Sequence, residues 1–257
     1  MAADTLLAQA HTLWETLARV PVSFAATAAT AGGVAVVTDP DSGWCPPGWA
    51  GVIRLGDTAL VAAPDEAAAA LLRETLAATT AASATATLTA PTAAPHRRPA
   101  RVLGPAALAY LAAEDFRPAA IPAGLALVEL PTESPELRVL ELESGQEDAN
   151  EAGLWESTSP VFAVRAEGQV VAAAGYRRWP GDAAHIGILT APAWRNRGLA
   201  RATGSAASAH ALTAGLLPQW RARVPASRRV ATSLGYRELG EQLSLLPASP
   251  GLPQQGP

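Results

Sequence analysis

The chain has no lysine. All 19 of its basic residues are arginine, which excludes mechanisms built on a Schiff-base or amine-nucleophile lysine. It has one cysteine, Cys45, so an intrachain disulfide framework and cysteine-based zinc clusters are excluded. Its four histidines, His11, His96, His185 and His210, are scattered without metal-ligand spacing, and no metal is expected. Charged residues are only 16% of the chain, low for a globular surface. The net charge of −4 argues against a nucleic-acid partner. There is no strongly apolar run of 18 residues or more, so no membrane span is expected. The start of the chain lacks a basic leader and carries Asp4 and Glu15, which argues against a secretory signal. These absences point to a soluble, cytoplasmic protein of a reducing compartment.

What is present is apolar and unevenly charged. With 257 residues, 49% of them hydrophobic, the chain can build one large domain or two modest ones. Residues Ser157–Glu241 hold 11 arginines against four acids, a net of +7, while the remainder is −11. A basic segment inside an acidic protein suggests a local anion site, for a phosphorylated ligand rather than a polymer. The plainer alternative is that these arginines face water and pair with acids of the N-terminal half.

Residues 4–18 have the apolar spacing of an amphipathic helix. Val34–Thr38 reads as a strand, and Val52–Ala63 as a hairpin turning at Gly56-Asp57. Asp65 is placed to cap a helix running to about Ala77. Residues 79–99 read as a mobile connection or an irregular strand, and Pro105–Ala113 as a short helix. Prolines 118, 122, 131 and 135 mark an inter-domain connection. Further on, Leu137–Leu142 reads as a strand and Gln146–Trp155 as a weak helix. Strands are expected at Val161–Arg165, Val170–Arg177 and Ala183–Thr190, a helix at 198–214, and a strand at Leu216–Arg221. A short helix Ala226–Leu234 and a strand Tyr236–Leu246 follow, then a disordered Pro/Gly tail. The fold class is layered α/β with a mixed sheet, not a doubly wound one. The expected domains are 1–130, 131–246 and the tail 247–257.

The segment His185–Ala202, HIGILTAPAWRNRGLARA, carries the chemistry. A strand runs into a loop that opens a helix at Arg195-Asn196-Arg197-Gly198-Leu199-Ala200. The first turn of a helix offers free N–H groups and the positive end of its dipole. Gly198 allows close approach to the backbone, Ala200 keeps the next turn small, and Arg195, Arg197 and Arg201 add charge. Such a junction can hold a pyrophosphate without a P-loop lysine. Both GxxxxGK[ST] and GxGxxG are missing.

R-x-x-G-x-A between a strand and a helix resembles the acyl-CoA signature of the GCN5-related N-acetyltransferase (GNAT) superfamily. The likeness extends to Pro225–Tyr236, which resembles the family's N-x-A-S…A-x-x-L-G-F element. Gly187-Ile188-Leu189-Thr190, Gly198-Leu199-Ala200 and Pro218-Gln219-Trp220 are similar to a bacterial subgroup of about this length. The resemblance covers roughly 137–246. It implies a GNAT acyl-CoA N-acyltransferase fold with a mostly antiparallel sheet. A smaller N-terminal α/β domain precedes it, either a degenerate copy of that fold or a separate cap.

The resemblance also implies roles. Ile188, Leu189 and Thr190 would pair with the pantetheine arm of acetyl-CoA. The pyrophosphate would lie on backbone amides from Asn196 to Arg201, with Arg195, Arg197, Leu199 and Ala200 in the same loop. His185 takes a strand position where relatives often carry a glutamate base. Two departures stand out. Val224 occupies the place of a common asparagine, and Ala231 that of a frequent general-acid tyrosine. Thiolate protonation then falls to Ser227, Tyr236 or water. Trp155, Trp179, Trp194 and Trp220 could line an acceptor cleft, or pack in the core. Cys45 has no required role and reads as a buried structural thiol. The expected function is acetylation of a primary amine, on a small molecule or a peptide, by direct attack in a ternary complex. The alternative is a weak or inactive CoA-binding sensor or scaffold. A homodimer is left open.

Overall fold

The computed structural model describes residues 5–90 and 99–247. Their contacts form two compact units, one from the chain up to residue 107 and from 239 onward, the other spanning 108–238. The expected tail, His96 and most of the Pro-rich end of 79–99 lie outside the described residues.

In the first unit, helices α1 (Thr5–Leu17) and α2 (Phe24–Ala28) precede strand β1 (Val34–Thr38). Strands β2 (Ala50–Leu55) and β3 (Thr58–Ala63) form the hairpin expected from Gly56-Asp57. Helix α3 (Glu66–Leu76) starts where Asp65 predicts, and the Asp65 carboxylate accepts the Ala68 N–H at 2.8 Å. The stretch after it corrects the sequence reading, because Ala81–Thr89 is helix α4. Its Ala81, Ala84, Thr85 and Leu88 are buried at helical spacing. They join Val52, Val61, Leu243 and Leu245 in one apolar cluster, and that burial decides the conformation. Residues 101–107 of strand β4 (Arg101–Tyr110) complete the unit, where a helix over Pro105–Ala113 was expected. Ala-rich composition favours a helix only weakly, and strand pairing overrides it.

The second unit takes the last three residues of β4 and then β5 (Ala126–Leu130), which falls within the proline-marked connection. Strand β5 pairs antiparallel with β6 (Val161–Ala166), so that stretch is built into the sheet. Between them lie helices α5 (Pro135–Ser144) and α6 (Gln146–Ala152). The strand expected at Leu137–Leu142 is therefore helical. Pro135 opens the helix, and Leu137, Leu140, Glu141 and Ser144 turn inward at helical spacing. Strand β6 turns at Glu167-Gly168 into β7 (Gln169–Trp179), which pairs along its length with β8 (Ala183–Thr190). Helix α7 (Leu199–Thr213), strand β9 (Leu217–Ala222) and helix α8 (Pro225–Ser233) follow. The last strand, β10 (Arg237–Leu246), passes back to the first unit and pairs there with β2.

The sheet of the second unit runs β4-β9-β8-β7-β6-β5. In it β8 and β9 pair in parallel, while β5 with β6, β6 with β7 and β7 with β8 pair antiparallel. Its two faces carry separate cores. Ile186, Tyr176, Trp220 and Tyr236 pack with Ala207 and Ala211 of α7. Leu189, Ala173 and Val161 pack with Leu137 and Leu140 of α5. Helix α7 approaches closely because its buried face is small: a Cβ at Gly204 would come within 2.8 Å of Ile188. Among the described residues, no helix is long and apolar enough to cross a membrane. Nor does any group of three or more His, Cys, Asp or Glu there have the arrangement to hold a metal ion.

Candidate active site

The site begins where two strands part. Strands β8 and β9 pair over three positions only, Ala183 with Leu217, Ala184 with Pro218 and His185 with Gln219. Both strands continue, but the ladder between them stops. At the last rung the side chains also meet, His185 Nδ1 against Gln219 Oε1. With the Gln219 carbonyl as acceptor, Nδ1 carries the proton and Nε2 keeps its lone pair. The indole of Trp179 stacks on the imidazole at 4.2 Å.

Two cavities adjoin this fork. The larger, about 300 Å³, is lined by Ile186, Gly187 and Ile188 of β8, by Trp220 and Arg221 of β9, and by Val224 and Ser227 at the start of α8. Residues Glu147, Asp148, Glu151 and Ala152 of α6 close its other side. The smaller, about 210 Å³, holds His185, Trp179, Arg177 and Glu156, and shares Glu151, Ala152, Gly187 and Arg221 with the first. Gly187 lets α6 reach the fork, because a Cβ there would lie 1.9 Å from the Ala152 carbonyl oxygen.

Alternation along the strands divides the polar groups. Ile186 and Trp220 face the α7 core, so His185, Gly187, Gln219 and Arg221 face α6. His185 is half-buried and its pKa is pushed down to about 3, first by burial and then by the positive charge of Arg221, with Arg177 adding to it. It is neutral at physiological pH.

Beyond β8, a turn of 3-10 helix at Pro192–Trp194 leads to Asn196 and Gly198, both with left-handed backbone (φ 63° and 79°). A Cβ at Gly198 would meet nothing within 4 Å, so the space over the helix start is open. The first bond of α7 runs from the Ala202 N–H to the Gly198 carbonyl. The N–H groups of Leu199, Ala200 and Arg201 therefore precede the ladder. Arg197 lies over the Trp194 ring at 4.6 Å, and Arg197 and Arg201 are exposed without an ion pair among the described residues. Arg195 differs. Its guanidinium is 2.6 Å from Asp148 and also donates to the Thr190 carbonyl.

The remaining candidates divide clearly. Ile188 and Ser227 line the larger cavity, and Ser227 Oγ accepts the Trp220 indole N–H at 2.9 Å. Leu189 packs under α5, Leu199 is buried beneath the sheet, and Thr190 Oγ1 is buried with no partner among the described residues. Tyr236 is buried, bonds to Ser208 at 2.7 Å and lines neither cavity, so it packs and donates no proton there. Of the four tryptophans, Trp220 and Trp179 line a cavity each, while Trp155 is exposed and lines neither. Cys45 lies in the first unit, where burial pushes its thiol up to about 11. Sequence reasoning missed Gln219 and Arg221. Their signal is two polar residues at alternate positions of an otherwise apolar strand.

Comparison with known proteins bears on this geometry. The GNAT acetyltransferase family model matches residues 157–242. Over those residues the chain is similar to a GNAT acetyltransferase domain. Proteins of this superfamily use an acyl-CoA donor. Among solved structures, the chain is similar to a protein described as a GNAT-family acetyltransferase from Novosphingobium aromaticivorans. Identity is 25% and the TM-score 0.45, with 58% of this chain and 65% of that one covered. It is also similar to a GCN5-related N-acetyltransferase from Kribbella flavida (18%, TM-score 0.42, 59% and 60%). A GNAT-family acetyltransferase from Colwellia psychrerythraea is a third (16%, TM-score 0.43, 57% and 57%). The chain thus spans less than two thirds of the length of each. No curated protein matches it.

Proposed function

We propose that the second unit transfers an acetyl group from acetyl-CoA to a primary amine by direct attack. The observation that carries this is the parting of β8 and β9 after the His185–Gln219 rung, above a cavity reached from both faces of the sheet. The residues present suit the donor. The open, left-handed turn at Asn196 and Gly198, the N–H groups that precede the α7 ladder, and Arg197 and Arg201, which make no ion pair among the described residues, fit a pyrophosphate. Free strand edges beside Ile188, Leu189 and Thr190 fit an amide-bearing arm. Val224 leaves one polar contact of the usual GNAT pattern unmade.

Acetyl-CoA supplies an activated thioester. The amine lone pair forms the new C–N bond, the C–S bond breaks, the nitrogen gives up one proton and the sulfur takes one. His185 Nε2 is the acceptor for the first proton. A base with a pKa of about 3 cannot strip an ammonium ion, so the amine must arrive neutral and lose its proton as the C–N bond forms. The pH–rate profile is then expected to follow the pKa of the acceptor amine. Ser227 accepts the Trp220 N–H and keeps its own hydroxyl hydrogen for the departing sulfur. A cytoplasmic location and a small-molecule or peptide acceptor belong to the same proposal, as does a catalytic domain of 131–246 with 1–130 as a degenerate copy or cap.

A second reading is a CoA-binding sensor or scaffold, favoured by Ala231 in place of a proton donor and by the weak basicity of His185. The deciding experiment titrates acetyl-CoA, CoA and ATP calorimetrically into the wild type and Gly198→Glu, then measures CoA release with a panel of amines. Micromolar CoA binding lost in Gly198→Glu, with release that His185→Ala abolishes, supports the transferase. Binding without release supports the sensor. No CoA binding by folded protein overturns both.

A further inference from the structure

The cavity walls at the fork hold four acids, and each has an arginine. Asp148 pairs with Arg195 at 2.6 Å, Glu151 with Arg223 at 3.0 Å and Glu156 with Arg177 at 2.7 Å. Glu147 lies 3.9 Å from Arg223. Arg221 is different. It lines both cavities, it is half-buried, and among the described residues it makes no ion pair or hydrogen bond. His185, which lines the smaller cavity with it, is neutral and already engaged with Gln219 and Trp179. A cation partly withdrawn from water without a counter-charge is costly, and the cost is recovered when an anion binds.

We infer that Arg221 receives a carboxylate of the acceptor, so that the acceptor is a small amine that also carries a carboxylate, of the amino-acid class. This rests on the transferase reading above. The chemistry favours a carboxylate over a phosphate. The guanidinium fork matches one planar carboxylate, whereas a doubly charged group would face Glu151 and Glu156 in the same walls. The size agrees, since about 210 Å³ on the α6 side suits a small molecule. The location agrees too. Arg221 belongs to both cavities, so a molecule held there by its carboxylate reaches the shared region at Ala152 and Gly187 with its amine. The arginines at the start of α7 line neither cavity, which keeps the acceptor's anion apart from the donor's phosphates.

The test uses product-like pairs that differ only in the carboxylate, such as N-acetyl-L-phenylalanine with N-acetyl-2-phenylethylamine, and the corresponding leucine, alanine and lysine pairs. Each is titrated calorimetrically, with and without CoA, into the wild type, Arg221→Gln and Arg221→Lys. In at least one pair the carboxylate member is expected to bind about ten- to hundredfold more tightly to the wild type. That advantage is lost in Arg221→Gln and partly kept in Arg221→Lys, with melting temperatures no lower than that of the wild type. No carboxylate advantage in any pair, or one that survives Arg221→Gln, overturns the inference. Acetyl-CoA titrated alone reports on the donor site separately, so a failure of the transferase reading shows there and is not confused with this one.

Discussion

Two strand pairs handle charge in opposite ways. In the first unit β10 and β2 zip together over six positions, and Glu241 lies directly opposite Arg54, its ion-pair partner at 3.2 Å. In the second unit β8 and β9 share three rungs, and Arg221 lies beyond the last of them without an ion-pair partner among the described residues. A cross-strand charge that finds its opposite helps hold a sheet shut. One left beside a gap needs something else to neutralise it. The histidines repeat the contrast. His11 stacks on Phe24 and His185 on Trp179, and burial lowers the pKa of both. Only His185 lines a described cavity with an arginine across from it.

The largest expected effects come from closing the tight approaches. Gly187→Ala puts a methyl 1.9 Å from the Ala152 carbonyl, and Gly240→Ala puts one 1.7 Å from the Arg54 carbonyl. Each should lower the unfolding free energy by about 2–4 kcal/mol, since backbone on both sides must shift. Urea melts measure the loss. The comparison sharpens in the ligand titration: only Gly187→Ala should also weaken binding at the fork, because only there does the glycine border a cavity. Equal binding losses in both would mean that the two units respond as one.

His185 gives the next test. Its replacement by Gln should reduce turnover by about a hundredfold if it accepts the amine proton. It also carries a stability signature whose sign is fixed. The free imidazole titrates near 6.5 and the folded one near 3. Between those values the unfolded chain binds a proton that the folded chain refuses. Unfolding free energy should therefore fall as pH drops from 6.5 towards 3, and the fall should be shallower in His185→Gln. His11 contributes in the same direction, so His11→Gln should flatten the curve as well while leaving turnover unchanged.

Much of this arrangement was legible in the sequence, and the exceptions have physical reasons. Local signals held: Asp65 as a cap, Gly56-Asp57 as a hairpin turn, and the strand-loop-helix order around Gly198. Signals that depend on what packs across did not. Ala81–Thr89 is helical because its small face lies on a sheet, and Leu137–Leu142 alternates by accident within a helix opened by Pro135. Strand β5 was hidden among prolines because pairing with β6 defines it. Gln219 and Arg221 matter through the register of β9 against β8, which no spacing within one segment can give.

Removing the two unlike arginines should change stability with opposite sign. Arg54→Gln breaks a pair whose side chains are each 24% exposed and should cost about 1 kcal/mol. Arg221→Gln removes a half-buried cation with no partner among the described residues. It should be neutral or stabilising by up to about 1 kcal/mol in the absence of ligand. Equal losses in both would show that Arg221 already has a compensating group in the free protein.

The smallest effect is expected at Arg195, and it separates bracing from binding. Its guanidinium is occupied by Asp148 and the Thr190 carbonyl, with both members of the ion pair about half exposed. Such a pair contributes little, so Arg195→Gln should cost about 0.5 kcal/mol or less. It should also weaken acetyl-CoA binding by no more than about threefold, since the charge is largely spent within the protein. Arg201→Gln, with no ion pair to lose among the described residues, should leave stability unchanged and weaken acetyl-CoA binding by about three- to tenfold, an effect that shrinks as salt is raised. If the two variants lose affinity equally, Asp148 must release Arg195 when the donor binds. The link between α6 and the phosphate loop would then open with each turnover instead of holding the fork in place.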